Sequence, residues 1–151
     1  MTTQPTAAPA NQTVNDSDEI NGSEQAHRAG LYNLLGALLR DYPSPATLDY
    51  TAALGANDAA GPELEMAVSM LGLAARHSSV DAVRDEYHTL FIGLGRGELV
   101  PYGSWYQTGF LMEKPLSILR TDLAQLGIER DPEVREPEDH IAALCEVMAS
   151  F

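Results

Sequence analysis

The stretch EYHTLFIGLGRGELVPYGSWY, Glu86 to Tyr106, decides how this chain is read. Val83, Tyr87, Leu90 and Phe91 fall at helical spacing, so the segment starts as an amphipathic helix. It breaks at Gly93-Leu-Gly-Arg-Gly97, where glycines turn the backbone sharply after a helix. It ends in Pro101-Tyr-Gly-Ser-Trp-Tyr106. Five of the ten aromatic residues (six Tyr, three Phe, one Trp) sit here: Tyr87, Phe91, Tyr102, Trp105 and Tyr106. Such a cluster either fills a core or forms a recognition surface, and composition alone favours the core.

Working outward, every other segment also reads as helix or connector. Residues 1–22 are poor in apolar side chains and are expected to be a disordered tail. Ser23 is the expected cap of a first helix, whose stripe Leu31, Leu34, Leu35 and Leu38 runs to Arg40. Pro43 stops it, and a short helix over 46–54 follows. Pro62 opens a helix with Leu64, Val68, Leu71 and Ala75 on one face. Ser79 caps the helix that enters the glycine loop. Pro115 opens another, with Leu116, Leu119, Leu123 and Leu126 in register and Gly127 as its stop. Pro137 is expected to start the last helix, striped by Ile141, Leu144, Met148 and Phe151. The fold class is therefore all-α, a single-domain helical bundle over residues 23–151. The stripe is still running at Phe151, so the bundle is expected to lack C-terminal helices.

Composition excludes several functions. At net charge −13, with Lys114 the only lysine, the surface repels a phosphate backbone and attracts a basic partner. No apolar run is long enough to span a bilayer, and residues 1–23 have neither the basic residue nor the apolar block of a signal peptide. With the single Cys145, this points to a reducing, cytoplasmic location.

A second motif is Glu136-Pro-Glu-Asp-His140. With Pro137 at the first helical position, Glu138 and Asp139 would offset the helix dipole, and Glu136 and His140 would share one side. A satisfied, half-buried His140 is the favoured reading of that spacing. A Glu and a His supply two metal ligands at most, and His27, His77 and His88 add none at ligand spacing. Ser104 lacks a nucleophile-elbow context, and the glycine run with Arg96 lacks the Lys-Ser/Thr of a phosphate loop. Neither catalysis nor a bound metal or cofactor is expected.

Taken together, Tyr87-x-x-Leu90-Phe91, the glycine loop, Pro101-Tyr-Gly-Ser-x-Tyr106 and Glu136-Pro-x-Asp139-His140-Ile141 resemble the TorD/DmsD/NarJ family of molybdoenzyme maturation chaperones. The resemblance covers residues 25–151. It implies a non-enzymatic protein that binds the twin-arginine signal peptide, or the body, of an exported molybdopterin oxidoreductase precursor until its cofactor is inserted. It carries over Tyr87, Leu90, Phe91, Pro101, Tyr102, Ser104 and Tyr106, with Glu136, Pro137, Asp139 and His140, as the peptide site. Trp105 joins them from its place among the aromatics. Carboxylates would pair the arginines, with Asp139 and Glu136 as candidates. Family members continue beyond the second motif, and self-association, as a homodimer for instance, is expected to cover the open stripe. Helical adaptors for other amphipathic helices, and metal- or nucleotide-dependent enzymes, are the alternative classes.

Overall fold

Most helix starts follow local sequence. Ser44 accepts from the Thr47 N–H at 3.1 Å and caps α2, Pro45–Ala53. Pro62 stands at the start of α3, Pro62–Arg76. Ser79 accepts from the Ala82 N–H at 3.2 Å and caps α4, Val80–Tyr87. The structure is a computed structural model whose backbone is described for residues 12–55, 61–94 and 97–151, with side chains from residue 22 onward. Among them are also α1 (Gln12–Arg40), α5 (Gly103–Thr108), α6 (Lys114–Gln125) and α7 (Ile141–Ala149), and no strand longer than one isolated bridge. The fold is all-helical, as the sequence reading expects.

α1 begins well before the expected cap. Ser23 lies inside it, with its hydroxyl and carbonyl oxygens 3.5 and 2.7 Å from His27 Nδ1. No proline interrupts residues 12–22, and Gly22 alone costs a helix only about 1 kcal/mol. The expected tail therefore overlaps α1 from Gln12; residues 1–11 lie outside the described residues.

The first core forms where Leu34 of α1 meets Leu54 and Val68, with Leu31, Leu38, Leu64 and Leu71 packed around it. Leu35, expected in the same stripe, is 41% exposed instead. Gly72 is the tight point between α2 and α3: a Cβ there would stand 2.6 Å from the Leu54 carbonyl oxygen.

α1 turns another face to α7, and here small residues decide the packing. A Cβ on Gly36 would lie 3.4 Å from the Ala142 carbonyl oxygen and 3.7 Å from Cys145 Cβ. Ala142 and Cys145 are the buried positions of α7, whereas Ile141, Met148 and Phe151 of the expected apolar stripe are exposed. Close approach of two backbones selects the small-residue face over the large one. Arg40 at the end of α1 donates from Nε to Glu146 of α7 at 2.9 Å.

α4 does not continue as an α-helix through Phe91. Residues His88–Ile92 form a π-helical turn, closed by the Gly93 N–H on the His88 carbonyl at 2.7 Å. The Leu90 carbonyl instead accepts from the returning Leu99 N–H, also at 2.7 Å. Gly97 makes that return possible, since a Cβ there would meet the Leu90 oxygen and the Phe91 carbon at 2.4 Å. Gly93 has the positive φ (59°) expected of the loop; Gly95 and Arg96 lie outside the described residues. α6 ends as expected, with Gly127 at φ 73° and the Ile128 N–H returning to Leu123 at 2.9 Å.

Replacing Gly72 by alanine is expected to destabilise the protein by about 1–3 kcal/mol in urea unfolding, because backbone must move. Gly30→Ala, on α1 with nothing within 4 Å of the added carbon, is expected to be stabilising by up to about 1 kcal/mol. Equal effects at the two positions would contradict the packing described.

Candidate functional site

Two helix starts face each other at the junction of the two motifs. α5 has no side-chain cap of its own, so its first N–H groups need acceptors from elsewhere. Asp139 supplies both. Its backbone carbonyl accepts from the Gly103 N–H at 2.9 Å, and its carboxylate Oδ2 accepts from the Ser104 N–H at 2.8 Å. The exchange is reciprocal: the Ile141 N–H at the start of α7 donates to the Pro101 carbonyl at 2.9 Å. The next one, on Ala142, donates to His140 Nδ1 at 3.2 Å. Tyr102 and His140 thus form an antiparallel bridge, their rings edge to face at 5.1 Å. The Asp139 carboxylate stands by the N-terminus of α5, where a helix dipole favours negative charge.

This geometry corrects the expected start of the last helix. Pro137 opens a turn, closed by the His140 N–H on the Pro137 carbonyl at 3.0 Å, and α7 starts only at Ile141. Glu138 and Asp139 are therefore outside its first turn. Glu138 instead takes a fork from Arg120 of α6, both carboxylate oxygens 2.9 Å from Nε and Oε2 2.8 Å from a terminal nitrogen. That hydrogen-bonded pairing holds the Glu138 carboxyl below its ordinary range. Arg120 is a residue the sequence reading misses, since its partner lies in a distant segment.

Burial sorts the expected site residues. Tyr87, Ser104, Asp139 and His140 are buried, the last three at 1%, 4% and 5% exposure. Tyr87 donates its hydroxyl to the Leu39 carbonyl at 3.2 Å, satisfying one of the free carbonyls at the end of α1, and packs on Phe91 at 4.9 Å. Asp139, expected as an arginine ligand, has one carboxylate oxygen committed to Ser104. Its Oδ1 and Ser104 Oγ are buried without a hydrogen-bond partner among the described residues. Leu90, Phe91, Pro101, Tyr102, Trp105 and Pro137 are half-buried; Tyr106 and Glu136 are exposed. No hydrogen bond joins Glu136 to His140, because their segment is not helical.

Burial sets the main shifts at the junction, and Glu136 contributes to three of them. Burial raises the Tyr87 and Tyr102 phenols above their ordinary value, and the Glu136 carboxylate adds to both shifts. Burial lowers the His140 imidazole, with Arg40 acting the same way and Glu136, Asp139 and Glu146 opposing it. Cys145 is buried, and desolvation raises its thiol, which leaves little thiolate for chemistry. Among the described residues no cluster of three or more His, Cys, Asp or Glu could hold a metal ion, and no helix is long and apolar enough to cross a membrane.

Residues 57–151 match the family described as nitrate reductase delta subunit. Over 107 residues, 69% of this chain and 50% of the relative, the sequence is 28% identical to the chaperone protein TorD of Vibrio parahaemolyticus. The chain thus spans about half the length of that curated relative. The fold is similar to the crystal structure of a protein described as a redox enzyme maturation protein of Archaeoglobus fulgidus. That match has a TM-score of 0.60 and 20% identity, over 82% of this chain and 70% of that one.

Neutral His140 caps α7, so the stability it contributes is complete above about pH 6.5 and is lost as pH falls through its lowered folded value. Urea unfolding is expected to show stability rising with pH across that window, and His140→Asn, a cap that does not titrate, should flatten the rise. Glu138 contributes a separate loss only below about pH 4.3, through the window set by its lowered value. Asp139→Ala is expected to cost about 1–3 kcal/mol, and Asp139→Asn, which keeps an acceptor for Ser104, less. An Asp139→Ala protein as stable as the parent would contradict the capping of α5 by Asp139.

Proposed function

Because this chain belongs to the nitrate reductase delta subunit family, the TorD/NarJ group of redox-enzyme maturation proteins, we propose that it is a cytoplasmic maturation chaperone. In this reading it binds the twin-arginine signal peptide of an apo-molybdoenzyme precursor and delays export until the cofactor is in place. It acts by binding rather than by catalysis.

The observation that carries the reading is the position of Glu136. Its carboxylate is exposed, forms no ion pair among the described residues, and stands on the segment that leads into His140, whose ring packs on Tyr102 at 5.1 Å. Phe91 packs on Tyr87, and Tyr102 leads into the helix that carries Trp105 and Tyr106. A free carboxylate beside half-buried aromatics suits a peptide with an arginine pair, since a guanidinium pairs with a carboxylate and stacks on a ring. Asp139 supports this surface from beneath, by holding α5 against the second motif. The net charge of −13 would steer a cationic peptide inward. Self-association belongs to the same proposal, with exposed Ile141, Met148 and Phe151 as its surface.

Calorimetric titration with a twin-arginine signal peptide is expected to show saturable binding. Changing both arginines to alanine, or Glu136→Gln in the protein, should weaken it roughly tenfold or more, the scale of a charged hydrogen bond. Binding indifferent to the arginine pair would instead fit an adaptor for amphipathic helices, and absence of binding would refute the chaperone reading. Light scattering at tens of micromolar should report a mass above the monomer; a monomer would remove self-association from the proposal.

A further inference from the structure

A groove of about 530 Å³ runs between α6 and α7, walled on its third side by the segment 128–138. Leu123, Ala124, Ile128, Val134, Ala143 and Val147 make it apolar. Two of its arginines are already neutralised, Arg40 by Glu146 and Arg120 by Glu138. The third, Arg130, donates to the Val134 carbonyl of its own loop. Glu129, Asp131 and Glu136 also line it and form no ion pair among the described residues. That carbonyl leaves the Arg130 charge in place, so three carboxylates face one arginine on the 128–138 wall and the net free charge there is acidic, while α6 and α7 supply apolar surface.

Resting on the signal-peptide reading above, we propose that this groove receives the apolar part of the peptide. The arginines meet Glu136, Glu129 and Asp131 along its wall. Glu136 is the link, since it belongs both to this groove and to the surroundings of Tyr102 and His140. Charge complementarity selects this occupant over a second copy of the chain, which would bring another net charge of −13 against an acidic wall. It also separates this groove from the apolar one of about 390 Å³ between α1 and α3. There, among the described residues, the only carboxylate is Glu24, accompanied by Arg28 and His27, and nothing in that lining favours a cationic head.

The test uses the full chain and a synthetic peptide with an arginine pair ahead of a leucine–alanine stretch. Ala124 is exposed on α6, so Ala124→Asp should fold normally while placing a carboxylate under the apolar segment. Binding is expected to fall roughly tenfold or more, with an unchanged melting curve, while Ala67→Asp in the α1–α3 groove leaves affinity intact. A photo-crosslinker within the leucine stretch should label α6, α7 or residues 128–134. Wild-type affinity in Ala124→Asp, or crosslinks confined to Trp105, Tyr106 or the α1–α3 groove, overturns the assignment while leaving the signal-peptide reading standing. Occlusion of the groove by a second copy, seen as crosslinks lost on dimerisation, overturns it too. Failure of the wild-type protein to bind any such peptide overturns both.

Discussion

The structure depends on two helices that start at the same place and satisfy each other's unpaired N–H groups. A short helix such as α5 forms few internal bonds, and its first N–H groups are a large share of its polar cost. Asp139 removes that cost from another segment, with a carbonyl and a carboxylate, while Pro101 does the same for α7, which its own His140 also caps. Remove this junction and both the aromatic helix and the last helix lose their fixed directions. The surface around Glu136 would lose its shape with them.

Around this junction the molecule economises on side-chain volume. Gly36, Gly72 and Gly97 each stand where another backbone passes close by, and each joins elements far apart in sequence or in direction. Gly97 has a further effect, because the loop it admits takes the Leu90 carbonyl out of the helical ladder. The π-helical turn that carries Leu90 lies between buried Tyr87 and the exposed end of the chain's aromatic segment. Widened turns of this kind recur at functional sites.

Much of this was legible in the sequence, for identifiable reasons. Proline and serine caps act within one turn of the chain, so the starts of α3 and α4 and the Gly127 stop followed from local chemistry. The leucine stripe of α1 found its core because apolar area decides that face. The buried face of α7 was not legible. Counting large apolar residues selects Ile141, Met148 and Phe151, whereas the approach of Gly36 rewards Ala142 and Cys145, and nothing local to α7 announces Gly36. The same limit applies to the second motif. Pro137 followed by two acidic residues reads as a helix start, yet Asp139 caps a helix 35 positions away and Glu138 pairs with Arg120 of α6. The two motifs meet at one junction, and which of their residues are buried there and which face outward became clear only from burial.

The most direct test is amide hydrogen exchange at Gly103, Ser104 and Ile141, the donors that cross the junction. They are expected to exchange as slowly as amides in the middle of α1, and to become fast together when Asp139 is replaced by alanine. Exchange at these amides as fast as in an exposed loop, in the parent protein, would contradict the reciprocal capping on which the site is built.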